Sequence, residues 1–91
     1  MAYREMEHET IKIYRFGEFT IQPQETLKIG SLPADYQGAR AYLVTCDFNA
    51  SNIAGGVNKD PVGSDPAYTL YCKNLNTSLA LRFDIKVVCI F

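Results

Sequence analysis

The sequence predicts an all-β domain, an antiparallel β-sandwich of jelly-roll-like form. Three observations lead there. Apolar residues alternate with period two in nearly every apolar run, the runs are short and punctuated by Gly and Pro, and no stretch keeps a 3.6-residue period long enough for a stable helix. Such strands must bury their apolar faces against one another, as two packed sheets or a barrel. An immunoglobulin-type sandwich normally carries a core Trp, and this chain has none.

The elements follow in order. In "TIKIYRF" Ile11 and Ile13 alternate with Lys12 and Tyr14, Gly17 punctuates, and "FTI" resumes, which reads as strand, turn, strand. "ETLKIG" places Leu27 and Ile29 on one face, bounded by Pro23, Gly30 and Pro33. "ARAYLVTCDF" puts Tyr42, Val44, Cys46 and Phe48 on one side and Ala41, Leu43, Thr45 and Asp47 on the other. Both sides are mainly apolar, which predicts a central strand.

From Asn49 to Ala67, "NASNIAGGVNKDPVGSDPA", no apolar periodicity is evident. A connection beyond about 12–15 residues is usually functional or disordered, so this stretch reads as an exposed recognition loop, pinned by Pro61 and Pro66. Replacing residues 53–64 by a short turn should then leave the fold intact. "YTLYCKN" resumes the alternation through Tyr68, Leu70 and Cys72, and "NLNTS" reads as a turn. In the final run Leu79, Leu81, Phe83, Ile85, Val87, Cys89 and Phe91 share one face, which predicts a central strand. Val88 and Ile90 make its second face apolar near the end, so that face should also be covered, by the domain or by another chain. Residues 1–10 form a polar segment or linker remnant, and residues 11–91 form one domain.

Composition narrows the function. The 91 residues carry nine basic and ten acidic side chains, a net charge of −1, with the basic residues scattered singly. A nucleic-acid partner is not expected, because phosphate neutralisation needs a basic face. No run approaches the eighteen or so apolar residues of a membrane span, and "MAYREMEHET" lacks the signal-peptide pattern. Membrane insertion is not expected either. Cys46, Cys72 and Cys89 lack CxxC spacing and fall inside strand-like runs, which reads as three buried thiols in a reducing compartment.

His8 is the only histidine, and it lies in the polar N-terminal segment, so neither nucleophilic nor acid–base catalysis is expected. Zinc would need about four converging Cys and His ligands. A calcium loop starting at Asp47 would have Asn52 and Asn58 where Gly and Glu are required. No metal or cofactor is predicted. Binding remains, and the candidate ligand-binding residues are Tyr42, Tyr68 and Tyr71 with Asn49, Asn52, Asn58, Asp60 and Asp65. Tyrosine rings pack on the apolar faces of saccharides while amides and carboxylates take their hydroxyls. The other reading of Tyr42 and Tyr68 is as core aromatics whose hydroxyls reach the surface.

The order "FTIQPQETLKIGSLP", then "ARAYLVTCDFN", a Gly- and Asn-rich stretch, and "YTLYCKNLNTSLALRFDIKVVCIF" resembles the small C-terminal β-sandwich domains of bacteriophage tail fibres and receptor-binding proteins. The likeness includes a polar bend from Pro23 to Thr26, an Asn74–Ser78 turn and a long closing strand, and covers roughly Phe19 to Phe91. It implies a homotrimeric virion domain, assembled in a bacterial cytoplasm, that adheres to a host-surface saccharide or protein. Two other readings share the fold: a structural decoration or assembly domain that binds only protein chains, and a carbohydrate-binding module of a larger enzyme.

Overall fold

The computed structural model of the chain describes residues 10–62 and 65–91, leaving aside the side chains of 60–62 and 65–66. The polar start, with Glu5, Glu7, His8 and Glu9, lies outside the described residues. Among the described residues six antiparallel strands build the domain: β1 (Ile11–Ile21), β2 (Thr26–Ser31), β3 (Ala41–Cys46), β4 (Ile53–Val62), β5 (Asp65–Asn74) and β6 (Leu81–Ile90). They form two three-stranded sheets, ordered β1-β6-β3 and β2-β5-β4. The chain changes sheet at every connection except the β4–β5 hairpin, which gives the sandwich its jelly-roll-like winding. The only helical turns among the described residues are single 3₁₀ turns, Ala34–Tyr36 and Ala50–Asn52.

The core lies where the sheets face each other. β6 supplies Phe83, Ile85, Val87 and Cys89, all fully buried and all on one side of the strand, as the alternation predicts. Phe83 and Ile85 join Ile21, Cys46, Leu70 and Cys72 in one cluster, and Val87 and Cys89 join Leu32 in the other. The strand begins at Leu81 rather than Leu79. Asn76 Oδ1 accepts hydrogen bonds from the Ser78 and Leu79 N–H groups at 2.9 and 2.8 Å, holding them in the turn and leaving Leu79 exposed.

Three expectations are corrected. Gly17 does not end a strand: β1 runs through it as a bulge, with the register against β6 shifting between Arg15 and Gly17 and Gly17 at φ 109°. β3 is an edge strand, not a central one, because β6 covers only one of its edges and its second apolar face stays exposed. The predicted long loop is mostly β4, paired with β5 from Ile53↔Asn74 to Val62↔Asp65.

Why residues 53–62 are a strand follows from main-chain bonding rather than side chains. Leu75 N–H donates to Asn52 C=O at 2.8 Å, which fixes the phase of the ladder. Pro61 and Pro66 then fall in a non-hydrogen-bonded pair, so neither ring removes a ladder donor. Gly55 fits because a Cβ there would lie 2.8 Å from Val44 Cγ1 and 2.9 Å from Tyr71 O, so the sandwich closes tightly over this position. The alternating inward set Ile53, Gly55, Val57 therefore lacks its middle apolar residue, and the periodicity disappears.

Candidate interaction surface

The described residues contain no enclosed pocket and no group of three potential metal ligands. The surfaces open to a partner are the outer faces of the two sheets. On the first, the register aligns Ile11, Ile90 and Ala41 in one row and Ile13, Val88 and Leu43 in the next. These six aliphatic residues form one contiguous patch across three strands, with neighbouring strands about 4.8 Å apart. Ile11, Ile13 and Leu43 are 56, 57 and 60% exposed. Isolated surface apolar residues are ordinary, whereas a large contiguous apolar patch on a soluble domain calls for an explanation.

The rest of that face is charged and self-paired. Arg15 binds both carboxylate oxygens of Asp84, Lys86 Nζ lies 2.7 Å from Asp47 Oδ1, and Arg82 lies 3.8 Å from Glu18 while stacking over Phe48. The Arg15 hydrogen bond holds the Asp84 carboxyl below the usual carboxylate range, and Asp84 in turn raises the Arg15 guanidinium. One half of the face is thus aliphatic and the other is an ionic rim.

The eight nominated residues do not gather at one place. Tyr42 and Tyr68 meet, ring centroids 6.5 Å apart, but they meet inside the sandwich against Val87 and Cys89. The Tyr42 hydroxyl accepts from Ala39 N–H at 3.1 Å and donates to Tyr36 C=O at 3.4 Å. Asn49 and Asn52 brace the end of the sandwich: Asn49 Nδ2 donates to Arg82 C=O at 2.9 Å, and Asn52 C=O accepts from Leu75 N–H. Tyr71 and Asn58 lie on the outer face of the second sheet, opposite Gly56 and Thr69 respectively. Asp60 and Asp65 lie near the far end of the hairpin, with side chains outside the described residues.

The three cysteines are free and buried. Burial pushes all three thiols up, and Cys72, with Cys46 adding to the effect, reaches about 12. Thiols so placed are small core hydrophobes rather than nucleophiles. The aliphatic face is the feature that the nomination of polar and tyrosine residues missed. Its signal was present in Ile11 and Ile13, Ala41 and Leu43, and Val88 and Ile90, each pair on one side of its strand.

No family model matches the chain, and no curated protein or solved structure matches it.

Proposed function

We propose that this chain is a non-enzymatic interaction module of a virion or tail fibre, and that its working surface is the outer face of the β1-β6-β3 sheet, which docks another protein chain. The observation that carries this reading is the contiguous aliphatic patch, Ile11, Ile13, Ala41, Leu43, Val88 and Ile90, beside a rim whose charges are already paired. Burying such a surface is worth about 25 cal/mol per Å² of apolar area, and paired rim charges give register at little cost. The tail setting rests on the resemblance described above.

A second reading is adhesion to a host-surface saccharide on the opposite face. It is favoured by Tyr71 and Asn58 sharing that face with Lys28 and Lys73. Binding on a glycan array, lost in Tyr71→Ala, would support it.

The docking reading is tested with particles produced from a gene carrying both Ile11→Lys and Ile13→Lys. Both side chains are exposed, so the variant should keep its melting temperature yet be lost from purified particles. Full retention of the folded variant would overturn the face as the docking surface. Absence of the wild-type chain from particles would overturn the virion setting.

A further inference from the structure

Among the described residues, β3 is the least protected of the four sheet edges. Exposed edges invite pairing with another chain, and folded proteins blunt them with bulges, charges, Pro or Gly. β1 has its bulge at Arg15/Gly17 and carries Lys12, Arg15 and Glu18. β2 has a bulge between Lys28 and Gly30. β4 carries Gly55, Gly56, Lys59 and Pro61, and Pro61 lies at a position whose main chain faces the free edge. β3, "AYLVTC", has no bulge, charge, Pro or Gly.

Its main chain is aimed outward. Asp47 N–H donates to Asp84 C=O at 3.1 Å, and the alternation of an antiparallel ladder then turns Ala41, Leu43 and Thr45 toward β6. Tyr42, Val44 and Cys46 turn their N–H and C=O groups to the open side, where no described backbone group meets them. A full jelly roll has eight strands in two sheets, and this domain has three strands in each. In the larger form, the further strand of this sheet would lie beside β3.

We infer that a second copy of this chain fills that place, its β3 pairing antiparallel with β3 about a two-fold axis to make one continuous six-stranded sheet. Strand self-complementarity supports this occupant. With Val44 on the axis, Tyr42 pairs with the partner's Cys46, and no charged side chain lies within the paired segment. Such an isologous contact closes at two copies, not at the three that the fibre resemblance implies. It rests on the reading above in that both place a protein chain on this sheet. It also joins the two aliphatic patches into a single platform, since Leu43 and Ala41 stand at the seam.

The test is molar mass by light scattering, combined with amide hydrogen exchange on the same samples at low and high concentration. Two-chain mass is expected, with exchange at Tyr42, Val44 and Cys46 slowed at least about tenfold in the associated sample and unchanged at β1 edge amides. The Ile11→Lys/Ile13→Lys variant should remain a dimer, because its substitutions lie on the far strand. A monomer at every concentration, a three-chain mass, or association without protection of those amides would overturn the pairing. If association lacks that protection and disappears in the double variant, the faces stack on each other: the docking surface stands and the edge pairing falls.

Discussion

Arg15 holds Asp84 in a two-point grip, Nε to Oδ1 at 2.8 Å and Nη2 to Oδ2 at 2.7 Å, across 69 residues of sequence and between two neighbouring strands. Fork-to-carboxylate pairing of this kind is stronger and more directional than a single-point ion pair. Its place on the outer face, beside the bulge that reorients β1, makes it the boundary between the aliphatic patch and the ionic rim.

That pairing predicts a pH dependence. The folded Asp84 carboxyl lies below its ordinary value of 3.8, so its contribution to stability is fully present above that value. It is lost as pH falls through the lower, folded-state value. Asp84→Asn should therefore melt below the wild type at neutral pH, and the gap should close as acid is added. A gap independent of pH from neutrality to about pH 2 would contradict the pairing as its cause.

Phe83 is the largest fully buried side chain among the described residues, and it belongs to the first core cluster. Truncation to Ala typically costs about 3–5 kcal/mol, a large part of the stability of so small a domain. Chemical denaturation of Phe83→Ala should find it largely unfolded in native buffer. A midpoint near that of the wild type would mean that the cluster collapses onto the lost ring.

Gly55 and Gly56 make a matched pair. A Cβ at Gly55 meets Val44 Cγ1 at 2.8 Å and Tyr71 O at 2.9 Å, while one at Gly56 meets nothing within 4 Å. Gly55→Ala should lose about 1–3 kcal/mol by forcing the β3 and β4 sides apart. Gly56→Ala should be neutral or slightly stabilising, and equal melting temperatures for the two variants would refute the close approach.

Asn74 is fully buried and ties three chain segments together. Its Nδ2 donates to Ile21 C=O and Leu79 C=O, each at 2.9 Å, and its Oδ1 accepts from Asn76 N–H at 2.9 Å. Asn74→Leu keeps the branched four-atom skeleton but strands those groups, at a cost of about 1–3 kcal/mol. Differential scanning calorimetry should find a lower transition for it than for the exposed control Asn58→Leu.

Residues 53–64 provide the test that separates strand from loop. β4 covers Cys72 and Val44 through Gly55 and contributes Ile53 and Val57 to the core. Exchanging the segment for a short Gly-Ser turn removes one strand of three from its sheet. Far-UV circular dichroism of that variant should report loss of the fold, and a native spectrum would return the segment to the status of a dispensable loop.

The all-β class and the inward side chains of β6 were legible in the chain, because period-two alternation in Phe83, Ile85, Val87 and Cys89 is a local property of an extended backbone. Alternation also marked the thiols as buried, since each stands in phase with its strand's apolar face. What alternation cannot say is whether a second apolar face is covered. For Ala41, Leu43, Val88 and Ile90 that depended on which strands lie beside and above them, and only the tertiary structure placed β3 at an edge with its outer face bare. The same holds for β4, whose strand character resides in hydrogen bonds lent by β5 and in a glycine required by Val44 across the sandwich. Tyr42 and Tyr68 likewise look alike as surface or core aromatics until the opposing sheet is in place. Pairing and coverage are made by residues distant in the chain, and so they were decided only when the two sheets came together.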